Sequence, residues 1–172
     1  MTFYKTSDQQ HKISNLSQKY LTKYYNILSA YYLKCSELET GAKKDELNMQ
    51  ASNYINKATD ISFQDPSTCI IRGYSGVISG QIAQAEQEFD HAIHQNNTDI
   101  LSLLGKAIVL FNKEKFDKAL NLFQRVVKLN PLSPVSVYNA SALCLYKLGN
   151  DALAKQIFEK VLEKEPMNEN AL

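Results

Sequence analysis

The chain has little of what most function classes require. No hydrophobic run in its 172 residues exceeds a few positions, so no segment reads as a bilayer span. The opening MTFYKTSDQQHK has no apolar stretch and does not read as a secretory signal. A basic excess is missing too: 19 Lys and Arg stand against 18 Asp and Glu, which argues against direct nucleic-acid binding. The three cysteines, Cys35, Cys69 and Cys144, show no CxxC spacing, and each falls on an expected apolar helix face. They read as small buried hydrophobes of a reducing, intracellular compartment. Of the histidines, His91 and His94 lie near Glu88, but no third ligand follows at a useful spacing, so no metal site is expected. The stretch GYSGVISG at 73–80 superficially matches a phosphate loop or a nucleophile elbow. Both devices need a preceding strand, whereas these glycines sit within an expected helix. No catalytic residue and no cofactor is expected.

What the chain does have is self-similarity. Between Ile100 and Asn168 the same chemistry recurs after 35 residues: Ala107 matches Ala142, Leu110 Leu145, Ala119 Ala154, Phe123 Phe158, Val126 Val161 and Pro131 Pro166. Moving upstream by 34 from Ala119, Phe123 and Val126 gives Ala85, Phe89 and Ala92, and again Ala51, Ile55 and Ala58. Such a period marks a repeat architecture whose units bury their apolar faces on each other. The small–aromatic–small–proline order resembles the tetratricopeptide repeat (TPR). That resemblance implies an all-α, right-handed solenoid of helix-turn-helix units, about four repeats plus a truncated fifth.

In this register residues 1–11 form a flexible N-terminus and 12–172 the array. Repeat one spans 12–65 with an inserted loop, repeat two 66–99, repeat three 100–134 and repeat four 135–168, and 169–172 opens a further repeat. No capping helix follows. The expectation is therefore a piece of a longer protein, with an uncapped end available for end-to-end self-association. Repeat one starts with a long helix over 12–39, whose row Leu16, Tyr20, Tyr24, Ile27, Leu28, Tyr31 and Leu33 is read as core. A recognition surface is the alternative for its tyrosines. The loop 40–45 carries the insertion, and a second helix covers 46–61. Pro66 suits a first helical turn. Gly73 takes the small position of Ala107 and Ala142, where two helices cross closely. Gly76 and Gly80 are expected to weaken their helix by roughly 1 kcal/mol each, and Gly149 suits a positive φ.

The TPR resemblance also implies that first helices line a concave side where a partner segment lies. The inward positions are then Ile70, Tyr74, Val77 and Ile78; Leu101, Leu104, Ile108, Phe111 and Asn112; and Ser136, Asn139, Leu143, Tyr146 and Lys147. The wall is mostly apolar, to be covered by a partner or partly by the chain's own N-terminal helix. Leu104 and Ile108 stand where TPRs that clamp a terminal carboxylate carry lysine and asparagine, which disfavours that mode.

A narrower resemblance rests on Asp99-Ile100-Leu101-Ser102-Leu103-Leu104-Gly105-Lys106-Ala107, then Phe111-Asn112-Lys113 and Phe116-Asp117-Lys118-Ala119-Leu120. Upstream, Ala30-Tyr31-Tyr32, a lysine-rich insertion and Asn53-Tyr54-Ile55-Asn56-Lys57-Ala58 keep the same order. Together they resemble the large TPR subunit of the RNA polymerase II-associated Paf complex. This implies a nuclear, non-enzymatic scaffold that holds other complex subunits on polymerase and supports elongation and co-transcriptional histone modification. The alternative is a TPR adaptor segment of a co-chaperone, or of an enzyme whose catalytic domain lies outside this chain.

Overall fold

The computed structural model describes residues 3–164, and side chains from 14 to 163. The described residues form eight helices in antiparallel succession: α1 Phe3–Glu37, α2 Gly41–Ile61, α3 Pro66–Ile78, α4 Ile82–Gln95, α5 Ile100–Asn112, α6 Phe116–Leu129, α7 Val135–Lys147 and α8 Asp151–Lys164. Each helix packs on the next, α1 also packs on α3, and α3 on α5. The result is an all-α solenoid. The start of a fifth repeat falls outside the described residues.

The periodic columns are the core. Ala51, Ala85, Ala119 and Ala154 are buried on successive second helices, and so are Ile55, Phe89 and Phe123, and Ala58, Ala92, Val126 and Val161. Small residues recur where the helices of a pair approach most closely. The Phe89 ring fills the space left by two glycines: a Cβ at Gly73 would lie 2.7 Å from Phe89 Cε1, and one at Gly105 only 2.1 Å. Burying such a ring contributes about 2–3 kcal/mol, available only while both neighbours lack a side chain.

The turns inside the last three repeats use one device. Gly80, Glu114 and Gly149 all take positive φ, at 77°, 57° and 77°. In each turn the next amide reaches back five residues: Gln81 N–H to Gly76 C=O, Lys115 to Leu110 and Asn150 to Leu145. This is the Schellman closure, which satisfies helix-end carbonyls through a left-handed residue. Gly80 therefore follows α3 rather than weakening it from within. Gly76 does lie inside α3, where a Cβ would meet that of Ala85 at 3.1 Å.

Repeat one departs from expectation in two ways. The turn after α1 is short, and α2 begins at Gly41, so the extra residues lengthen helices and not a loop. Helix α1 likewise starts at Phe3, where the periodicity starts it near residue 12. A residue count locates an insertion but does not say whether it is spent as loop or as helical turns. The second departure is the face that α1 buries. Its inward row is Thr22, Asn26, Ser29, Leu33 and Ser36, while Leu16, Tyr20, Tyr24, Ile27 and Tyr31 are exposed. Small side chains let α1 lie close to its neighbours, and the hydroxyls of Thr22, Ser29 and Ser36 donate to carbonyls three or four residues back. Asn26 Nδ2 donates to Thr68 Oγ1 at 3.0 Å, tying α1 to α3. Of the tyrosines, Tyr25 and Tyr32 face α2, where Tyr32 stacks on Tyr54 at 5.6 Å.

Two ionic clamps join units. Arg72 forms a paired hydrogen bond with Glu88 (2.9 and 2.8 Å) and also donates to Thr59 Oγ1 and Phe63 C=O, locking the α2–α3 connection to α4. Glu86 on α4 accepts from Lys106 of α5 and from Lys113, which follows it. The hydrogen bonds from Lys106 and Lys113 pull its carboxyl from 4.5 down to about 2.

Candidate protein-interaction surface

The first helices α1, α3 and α5 build one wall. Asp65 caps α3 by accepting from Thr68 N–H at 3.0 Å, with Pro66 in the first turn. Asp99 caps α5 by accepting from Ser102 N–H at 2.7 Å. Both caps fix where these helices start, and hence which side chains face the wall.

A cavity of about 310 Å³ opens on this wall, lined mainly by Leu33 of α1, Ile71, Tyr74, Val77 and Ile78 of α3 and Ile108 of α5. Lys34 and Glu37 stand at its α1 edge, paired with each other at 2.6 Å. Tyr74 organises the centre. Its hydroxyl donates to Leu101 C=O at 3.0 Å, linking α3 to α5, and its ring meets Phe89 edge-on at 5.2 Å. Burial, helped by the Asp99 charge, pushes the Tyr74 phenol up to about 12, so it remains a donor throughout the physiological range.

Of the positions expected to face inward, Tyr74, Val77, Ile78 and Ile108 line this cavity. Leu104 and Phe111 are half-buried beside them and pack on the core of repeat three, Phe111 edge-on to Phe116 at 5.2 Å. Leu101 and Tyr146 are exposed and Leu143 is half-buried, so they continue an accessible face along α5 and α7.

Two positions do not belong to the surface. Ile70 is buried against Cys69, Ala85, Phe89 and Ala92, because the cavity-facing row on α3 runs through Ile71, Tyr74 and Val77. Asn139 is buried in α7. Sequence reasoning missed Ile71, and it allowed for the N-terminal helix at the wall without naming the α1 residues that reach it. The signal for α1 was the three- and four-residue spacing of Thr22, Asn26, Ser29, Leu33 and Ser36, masked by the larger tyrosines on the opposite face.

Among the described residues, His, Cys, Asp and Glu form no group of three able to hold a metal ion. No described helix is long and apolar enough to cross a membrane. Cys69 and Cys144 are buried, and burial raises both thiols, Cys144 to about 11.

Comparison with known proteins matches the tetratricopeptide repeat model at residues 101–133 and 140–166. "Protein CTR9 homolog" of Arabidopsis thaliana is 36% identical over 148 residues, 86% of this chain and 14% of that protein. "RNA polymerase-associated protein CTR9" of Caenorhabditis elegans is 26% identical over 153 residues, 86% of this chain and 13% of that protein. The chain therefore spans only a small part of the length of the curated relatives it matches. Among solved structures, that of "Functional Characterization of Pseudomonas Aeruginosa pilF" superposes with a TM-score of 0.74 at 16% identity, over 90% of this chain and 66% of that one. A solved structure of MamA gives 0.68 at 16% identity, over 88% and 82%. At such identity these two speak for the fold alone.

Proposed function

We propose that this chain, a solenoid of tetratricopeptide repeats and so a scaffold for protein interactions, has its place in the Paf transcription-elongation complex. In this reading its wall of first helices holds other subunits of that complex on RNA polymerase II. The protein works in the nucleus, and its role in elongation and histone modification is to bring other proteins together. The observation that carries the reading is the 36% identity to "Protein CTR9 homolog" across 86% of the chain.

The geometry supplies what such a role needs. An apolar, accessible row on α3 and α5 offers area for a partner's hydrophobic side chains. Tyr74 holds the two helices in register from within the wall. No direct nucleic-acid contact is needed, in keeping with the net charge of +1. The test is to replace Ile108 and Phe111 together by glutamate and to purify the tagged protein from nuclear extract, identifying bound proteins by mass. The native protein is expected to bring down elongation-complex subunits and the double variant to lose them while keeping its helical circular dichroism. Chaperones as the main partners, or unchanged capture by the variant, would overturn the reading.

A further inference from the structure

The contact between α1 and α3 is tied at one end and open at the other. At the start of α3, Asn26 Nδ2 donates to Thr68 Oγ1 at 3.0 Å and to Asp65 Oδ2 at 3.3 Å. The α2–α3 connection is fastened at the same end. Arg72 donates to Thr59 Oγ1 and Phe63 C=O, and Gln95 Nε2 donates to Gln64 C=O at 2.8 Å. Toward the far end of α3, Leu33, Lys34 and Glu37 of α1 face Tyr74, Val77 and Ile78 across the wall cavity of about 310 Å³.

Widening that open end costs little. Along the inward row of α1 the hydroxyls of Thr22, Ser29 and Ser36 donate to carbonyls of their own helix, so a tilt leaves no donor unpaired. Lys34 and Glu37 pair within α1 and move with it. Leu33 is the one large apolar side chain of the row, and it already borders the cavity. The tied end is adaptable as well. The Thr68 hydroxyl has one proton and two acceptors in reach, Asn26 Oδ1 at 3.2 Å and Asp65 Oδ2 at 3.1 Å, so it can exchange one for the other as α1 turns. The hairpin holds together through such a turn, because Tyr32 stacks on Tyr54 and α1 packs on α2 more extensively than any other described pair of helices packs.

The next joint is built differently. Moving α3 and α4 against α5 would pull the Phe89 ring from Gly105, Glu86 from Lys106 and Lys113, and the Tyr74 hydroxyl from Leu101 C=O. Such a joint is stiff, whereas the first one is a hinge.

We propose that the α1–α2 hairpin swings as one body about the end held by Asn26 and Arg72, widening and narrowing the wall cavity while α3, α5 and α7 keep their places. The swing follows from the geometry of the joint; its use as a gate rests on the wall's role as a partner surface. A side chain seated in the cavity fits one hairpin position better than the other and so holds it.

Spin labels read the swing in the whole chain. In a Cys35→Ser background, where Cys69 and Cys144 are buried, one labelled pair is Leu38→Cys with Asn112→Cys and a second is Ser79→Cys with Lys147→Cys. All four positions are exposed at the ends of first helices, and each pair spans three of them. Double electron–electron resonance is expected to give the first pair a distance distribution at least about twice as wide as the second. Asn26→Ala should widen the first distribution further and leave the second unchanged. Thr68→Val, which keeps the shape of the side chain and the Asp65 cap, should act in the same direction; should Asn26→Ala not fold, this variant decides. The thiol of Ile108→Cys, at the cavity, should react with iodoacetamide about threefold faster once either change is added. Equal widths for the two pairs, a first width unmoved by the substitutions, or equal widening of both pairs would overturn the swing. An unchanged alkylation rate beside a widened first distribution would overturn its link to the cavity. None of these readouts involves a partner, so they succeed or fail independently of what the wall captures.

Discussion

Gly105→Ala should destabilise the protein, against the direction that helix propensity alone gives. Residue 105 lies inside α5, where alanine is favoured over glycine by about 1 kcal/mol. The added Cβ, however, would stand 2.1 Å from Phe89 Cε1, far inside the roughly 3.5–4 Å of an ordinary carbon contact. The ring is fully buried and has no free direction: a Cβ site at Gly73 is 2.7 Å away, and Tyr74 lies edge-on at 5.2 Å. Either α5 must move away from α4 or Phe89 must leave its rotamer. Overpacking of this kind costs about 1–3 kcal/mol and sits at the upper end here, for a net loss of about 2 kcal/mol. In a chain this long that lowers the melting temperature by roughly 4–8 °C. The assay is urea unfolding followed by circular dichroism, carried out as a double-mutant cycle. Phe89→Leu alone should cost about 1–2 kcal/mol through lost packing. In that background Gly105→Ala should become neutral or stabilising, a coupling of about 2 kcal/mol. Stabilisation by Gly105→Ala alone, or additivity within about 0.5 kcal/mol, would refute the packing described for Phe89.

Three further outcomes concern the turns, the clamp and the core. Glu114→Gly should stabilise by about 0.5–1 kcal/mol in the same unfolding assay, since Glu114 is the one non-glycine at positive φ among the described residues and Gly80 and Gly149 hold the equivalent places. Glu86 has a folded pKa of about 2 against an ordinary 4.5, so its contribution to stability is complete above about pH 4.5 and fades as pH falls toward 2. Unfolding measured across that window should show an acid-dependent loss that is smaller in Glu86→Gln. Phe123→Ala should cost about 3–5 kcal/mol by leaving a cavity between α5, α6 and α7, read by urea unfolding; native stability in that variant would mean α6 turns another face to the core.

Much of this was legible because a solenoid repeats its constraints. Ala51, Ala85, Ala119 and Ala154 fall in register because each second helix meets its partner in the same way, and a spacing of 34 or 35 carries that geometry directly. Gly73 was legible for the same reason. The exceptions are local choices that the period does not encode. Helix α1 buries Ser29 and Ser36 and exposes Tyr24 and Tyr31, because close approach selects small side chains whose hydroxyls bond to their own helix. A reading that sends the largest apolar residues inward turns such a helix the wrong way. Gly80 reads as a helix breaker in the sequence, and only the bond from Gln81 to Gly76 identifies it as the residue that ends α3. Ile70 and Ile71 are adjacent, and only the rotation of α3 decides which one meets Phe89 and which one meets the cavity.

The claim at the centre is that partners are held by the inner wall of first helices. A photo-crosslinking residue placed at Val77 or Ile108, with one at exposed Gln124 on α6 as the comparison, tests it in the intact cellular assembly. Adducts with elongation-complex proteins from Val77 and Ile108, and none from Gln124, are the predicted result; adducts from Gln124 alone would contradict it.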